Sequence, residues 1–140
     1  MRKGLKMSGK TGFAGIAAAL LAMLWLTGCA VNNNFLRPED FADRLRLDGV
    51  TVEGVREVPG QPFRASSGAA IRVAGSEIGV YKFDKTSRVQ QERLKRIAEG
   101  KKLFINGLPY PVVVSGSFVF MGLEKNTEKH RILESIRKFK

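Results

Sequence analysis

The chain has 140 residues, with 24 Lys and Arg against 13 Asp and Glu, a formal charge of +11. That length fits one domain plus a short extra segment. A single cysteine and a single histidine exclude a disulfide framework, and they exclude a zinc site built from several Cys or His ligands.

The amino terminus carries the sharpest signal. Arg2, Lys3, Lys6 and Lys10 form a cationic region without acids, and Phe13 to Leu26 is an almost unbroken apolar run of 14 residues. A spanning helix needs about 20 apolar residues, so an uncleaved anchor fits less well. The run closes on Leu26-Thr27-Gly28-Cys29. Thr27 and Gly28 are small, as a signal peptidase requires beside its cut. An ordinary secretory cleavage would need no cysteine there.

The pattern Leu-small-Gly-Cys at the end of such a run resembles the lipobox of bacterial lipoproteins. That resemblance implies cleavage between Gly28 and Cys29, a diacylglyceryl thioether on Cys29, and an acylated amine. Two or three acyl chains hold a protein on a membrane where one holds only marginally. Ala30, rather than Asp, follows the cysteine. In a Gram-negative envelope this resembles the outer-membrane sorting pattern, with the protein facing the periplasm.

Removing residues 1–28 and their four cations leaves 112 residues, with 20 Lys and Arg against 13 Asp and Glu, a charge of +7. A domain of that size buries roughly 65% of its unfolded surface. With Cys29 lipidated no disulfide is available, so the core alone must hold the fold. A basic protein outside the cytoplasm meets anionic headgroups, cell-wall polymers or acidic protein faces before it meets nucleic acid.

Residues 29–36 read as a lipidated cysteine and a short polar tether, and residues 37–140 as a single domain. Pro38 sits where a helix can begin, with Glu39 and Asp40 in the favoured first turn, so a helix is expected over Pro38–Leu45. Val50, Val52, Val55 and Val58 suggest an extended segment weakened by Gly54. The breaks at Pro59-Gly60 and Pro62 follow, and Phe63 is placed to anchor a loop to the core.

Residues 69–74 and 77–83 flank Gly75-Ser76, a hairpin-turn candidate. Pairing Ala74 with Glu77 sets Val73 opposite Ile78 and Ile71 opposite Val80, all on one face. Arg72, Gly79 and Tyr81 then take the other face. Thr86 or Ser87 caps a helix running to about Glu99, stopped by Gly100. Residues 110–114 and 117–121 form a second expected hairpin around Ser115-Gly116, with Val112 opposite Val119 and Val113 opposite Phe118. Both of its faces are apolar, which places it centrally in the sheet. Asn126 or Thr127 opens a last helix with Ile132, Leu133, Ile136 and Phe139 as its buried stripe.

The order is strand-strand-helix twice, with the two units aligning weakly at an offset of 41: Ser76 with Ser117, Ile78 with Val119, Thr86 with Thr127. The expected fold is α+β, a small antiparallel sheet of four to five strands with helices packed mainly on one face.

The mature part resembles a group of small, uncharacterised bacterial lipoproteins. The resemblance rests on Gln61-Pro62-Phe63, on Ile71-Arg72-Val73-Ala74-Gly75-Ser76-Glu77-Ile78 running on to Val80-Tyr81-Lys82-Phe83, on a hairpin centred at Gly116 and on a closing amphipathic helix. It spans roughly residues 36 to 140. Where such proteins often carry Pro-His-aromatic, this chain has Pro109-Tyr110-Pro111. The resemblance implies a fold and supplies no activity.

Chemistry-bearing motifs are few. His130, beside Lys129 and Arg131, reads as a surface residue. There is no Gly-x-Ser-x-Gly elbow, and no glycine-rich turn followed by Lys-Ser/Thr. A Ser–Lys dyad stays open, since it needs only proximity in space. Lys82, Lys85, Arg88, Arg93, Lys95, Arg96, Lys101 and Lys102 face only Asp84, Glu92 and Glu99. The bland reading of this cluster is a solvated helix face. The sharper one is contact with an anionic partner through Arg88, Arg93, Lys95, Arg96, Lys101 and Lys102. The expectation is a non-enzymatic, lipid-anchored envelope module that needs no cofactor and binds an envelope protein or anionic polymer. The alternative is a small-ligand carrier with an apolar groove between sheet and helices.

Overall fold

The computed structural model describes residues 31–140. The elements run α1 (Asp40–Leu47), β1 (Gly54–Val58), β2 (Ser67–Val73), β3 (Ser76–Lys82), α2 (Arg88–Gly100), β4 (Lys102–Ile105), β5 (Leu108–Ser115), β6 (Phe118–Met121) and α3 (Lys129–Lys138). The class is α+β, as expected.

The sheet is larger than four to five strands. Six antiparallel strands stand in the order β1-β2-β3-β6-β5-β4. The unexpected member is β4, which pairs with β5 through the Asn106-Gly107 turn. Both turn residues have positive φ, 51° and 80°, the signature of a tight hairpin turn. Pro109 and Pro111 obscure this strand pair in the sequence. The β6 ladder reaches only Val112–Ser115 of β5. Val112 donates its N–H to Lys101 O on the β4 side, so by alternation the missing N–H groups of Pro109 and Pro111 fall on the side β6 leaves unpaired. The repeating unit is thus three strands and a helix, not two strands and a helix.

Both expected hairpins form, each with its register moved by two. Ile71 pairs with Ile78 and Ala69 with Val80, around a turn at Ala74-Gly75. Val113 pairs with Phe120 and Val114 with Val119, around Gly116-Ser117. A shift of two keeps every side chain on its predicted face, because the strand period is two. The turns decide the register: Ala74 and Gly75 both take positive φ, 51° and 78°. With these registers the strand units superpose at an offset of 42, since the turn at Ala74 corresponds to that at Gly116. The offset of 41 would have exchanged the two sheet faces.

The sheet is covered on both sides. On one face Ile71, Val73, Ile78, Val80, Phe118 and Phe120 meet Phe41, Ala42 and Leu45 of α1 and Ile132 and Ile136 of α3. Phe139, just beyond α3, packs edge-on against Phe41 and Phe118 with ring centroids 5.2 and 5.0 Å apart. On the other face Val112, Val119, Leu103 and Phe83 meet Leu94 of α2. Two helices therefore share one face and the third takes the other. Phe63 does anchor its loop, standing edge-on to Tyr81 at 4.7 Å.

Helix α1 starts at Asp40, two residues later than Pro38 suggests. The preceding turn uses i→i+3 bonds, Asp40 N to Arg37 O and Phe41 N to Pro38 O, while Asp40 Oδ2 accepts from Arg37 N at 2.7 Å. Helix α2 has the anticipated Ser87 cap, its hydroxyl accepting from Gln90 N. Its stop is Lys101, at φ 53°, rather than Gly100. Asn126 leads into α3: its Oδ1 accepts from Glu128 N and its Nδ2 donates to Val73 O, both at 2.9 Å.

Candidate functional site

Gly28 and Cys29, the predicted cleavage and lipidation residues, lie outside the described residues. The expected tether beyond them is not loose along its whole length. Asn33 is fully buried. Its Nδ2 donates to Phe139 O at 2.9 Å and to Ser115 O at 3.2 Å, and its Oδ1 accepts from Ser117 N at 2.8 Å. Both amide donors and the oxygen are used. Gly116 permits this approach, since a Cβ there would collide with the Asn33 amide.

Asn34 continues the clasp. Its Oδ1 accepts from Lys85 N and from Ser117 Oγ, both at 2.9 Å, and its Nδ2 donates to Asp84 Oδ1 at 3.1 Å. The Thr86 N–H, the Thr86 hydroxyl and the Asn34 amide together hold the Asp84 carboxyl below its ordinary range. Lys82 Nζ donates to Leu36 O at 2.8 Å. Residues 33–36 therefore join the β5–β6 turn, the β3–α2 junction and the end of α3. The expected tether of residues 29–36 shortens accordingly. Sequence reasoning missed this clasp, because three asparagines in a row read as solvated chain.

The structure does not gather the six predicted cations on one face. Arg88, Arg93, Lys95 and Arg96 lie on α2, but at about 100° per residue Arg93 and Lys95 project about 160° apart. Arg88 is 91% exposed and stands 3.6 Å from Glu92. Arg93 Nη1 reaches Arg64 O at 3.4 Å on the shoulder of the helix. Lys101 caps the helix and Lys102 opens β4 opposite Pro111. Leu103 points into the α2 side of the sheet, so Lys102 takes the opposite face by alternation. The result is a broad basic surface interrupted by Glu92 and Glu99.

An open cleft of about 380 Å³ lies beside β5 and β6, lined by Tyr110, Pro111, Met121, Gly122, Glu124 and Lys125. Next to it the β4–β5 hairpin leaves Phe104 and Leu108 exposed, at 67% and 60%. Phe83, Phe118 and Phe120 are fully buried in the core and do not line this cleft. The most perturbed carboxyl is Asp48, held down to about 2 by its hydrogen bond from Arg44, with help from the Ser135 hydroxyl and the charges of Arg44 and Lys138. Arg44 reaches it at 2.5 and 3.0 Å and Ser135 at 2.8 Å. This network joins α1 to α3, and its Arg44 and Lys138 line a shallow open groove of about 220 Å³ with Asp40, Asp43 and Leu47. His130 is exposed. Among the described residues no group of three His, Cys, Asp or Glu could hold a metal, and no helix is long and apolar enough to cross a membrane.

No protein-family model, curated protein or solved structure matches the chain.

Proposed function

We propose that this chain is a non-enzymatic, lipid-anchored protein of the bacterial cell envelope. Cys29 carries the lipid, and the domain of residues 33–140 is an interaction module for an envelope protein or an anionic polymer. The observation that carries the reading is the sequence Leu26-Thr27-Gly28-Cys29 standing four residues before Asn33, the first buried residue of the fold. Cleavage before Cys29 would leave every described element of the domain in the mature chain. The contact would run through the exposed flank of α2 that Arg88, Lys95 and Arg96 share, with Arg93 and Lys101 at its edges; Lys102, on the opposite face of the sheet, lies outside it. In a Gram-negative cell the protein would sit on the outer membrane facing the periplasm.

The test of anchoring is metabolic labelling with a clickable fatty acid, followed by fractionation of cells producing the full chain or Cys29→Ser. The expected result is label on the full chain in the membrane fraction and none on the variant. Label retained by Cys29→Ser would refute it. For the interaction, charge reversal at Arg88, Lys95 and Arg96 is expected to weaken in-cell crosslinking to envelope material. Unchanged crosslinking at low salt would remove the basic surface from the proposal.

The cleft beside Tyr110, Pro111 and Met121 favours a second reading, carriage of a small apolar ligand. Native mass spectrometry of the purified chain would reveal a co-purifying lipid or metabolite, and a bare mass would count against carriage.

A further inference from the structure

We infer that the asparagine clasp fixes which end of the domain meets the membrane, and that this end binds an anionic bilayer surface directly. The inference rests on the proposed lipidation of Cys29.

Reach comes first. Four backbone steps lead from Cys29 to Asn33, and an extended chain covers at most about 3.5 Å per step, so the clasp stays within about 14 Å of the Cys29 Cα. Because the Asn33 side chain is bonded to Ser115, Ser117 and Phe139, no further slack is available. The strands then set the polarity. The end of β5 at Ser115, the start of β6 at Phe118 and the end of β3 at Lys82 lie together at the clasp. The Ala74-Gly75 and Asn106-Gly107 turns close the opposite ends of β3 and β5. Eight residues of β5 put the hairpin tip about 27 Å away along the strand.

Charge and exposure differ between the two ends. Phe35 is 72% exposed beside the clasp. Lys85 donates its N–H to Asn34, and Lys138 and Lys140 line a shallow groove with Leu36. Arg37 pairs with Asp40 at 3.5 Å and Lys138 with Asp48 at 3.8 Å. Asp84 takes Thr86 and Asn34, and Asp43 takes Arg46. Among the described residues of this end, Lys85 and Lys140 stand outside any ion pair, and Glu39 is the one such acid. An exposed aromatic among lysines whose stems can lie along the interface is the chemistry of anionic-leaflet contact. At the far end Arg56 pairs with Glu77 at 2.7 Å and Arg72 with Glu53 at 3.3 Å, and Lys125 and Lys129 stand beside Glu124. The exposed Phe104 and Leu108 of the hairpin are thereby held away from the bilayer, free for another partner.

The test uses the full lipidated chain, in which Cys29 is the only native cysteine, so an added cysteine is the only free thiol. Val89→Cys, at the exposed first turn of α2, marks the clasp end and Thr127→Cys the far end, each carrying a fluorophore. The protein is reconstituted into phosphatidylcholine vesicles with or without phosphatidylglycerol, all containing a nitroxide-labelled lipid. The expected result is at least about twofold stronger quenching at position 89 than at 127, a contrast that grows with phosphatidylglycerol and shrinks with salt. Lys85→Gln with Lys140→Gln, both surface changes, is expected to return the contrast to its value in pure phosphatidylcholine. Equal quenching at the two positions on an acylated chain overturns this inference alone. A contrast indifferent to phosphatidylglycerol overturns the anionic contact. An intact mass without acyl groups on Cys29 overturns the anchoring reading and this inference with it.

Discussion

Asn33→Ala is expected to be among the most destabilising single changes outside the apolar core. The substitution deletes an amide that is fully buried and makes three hydrogen bonds. It strands the Ser117 N–H and the carbonyls of Ser115 and Phe139. A buried polar group left without a partner costs about 1–3 kcal/mol, and water entering the vacated space relieves part of it, so a net loss of about 2–4 kcal/mol is expected. The assay is urea denaturation of a soluble chain starting at residue 29 with Cys29→Ser. With a slope of about 1–2 kcal/mol per molar for a domain of this size, the midpoint should fall by about 1–4 M. Gly116→Ala sharpens the test. Alone it suffers twice: its φ of 59° is strained for an L residue, and its Cβ meets the Asn33 amide. In the Asn33→Ala background the collision disappears and only the strain remains. The double variant should therefore be more stable than the sum of the single losses predicts, by about 1 kcal/mol or more. Additive losses, or an Asn33→Ala cost below about 1 kcal/mol, would refute the clasp as an energetic element.

Other expectations concern the packing of α3. Asp48 is held down to about 2 in the fold, chiefly by Arg44, against about 4 in an unfolded chain. Its contribution is full above about pH 5 and is lost as pH falls toward 2. Asp48→Asn should cost about 1–2 kcal/mol at pH 7 and nothing near pH 2, after allowing for partial solvent screening; thermal midpoints that stay parallel across this range would contradict it. Asn126→Asp keeps the acceptor that serves Glu128 N but sets a carboxylate against Val73 O, which now receives a donor at 2.9 Å. A loss of about 1–3 kcal/mol by urea denaturation is expected, despite aspartate's preference for helix starts. Unchanged stability would place Asn126 in the cap alone.

Much of the fold is legible along the chain. Strand alternation sorts Ile71, Val73, Ile78 and Val80 onto one face, and all four are buried there; that Phe118 and Phe120 join them, rather than Val119, was decided by the pairing of β3 with β6. The Ser87 cap and the Ile132–Ile136 stripe mark α2 and α3 within a residue or two. These features rest on neighbours one to four positions apart, which is the range over which backbone period and capping act. The Asn106-Gly107 turn was equally local; Pro109 and Pro111 hide it, because a proline reads as a strand breaker until the partner strand is known to be absent on that side.

The remaining features are non-local. The two hairpins could close on either of two adjacent turns with the same faces buried, and the choice fell to which residues could take positive φ once the sheet was assembled. The faces taken by α2 and α3 differ although their strand units correspond, because each helix answers to a different core. Asn33 is the clearest case. Its partners lie 82, 84 and 106 residues away, and a polar side chain can be buried only where such distant groups converge to satisfy it. Order along the chain suffices for the basic segment, the apolar run and the cysteine that ends it, and for the apolar periods of the domain. The burial of Asn33, four positions after that cysteine, was set by the assembled fold, because only there do its distant partners converge.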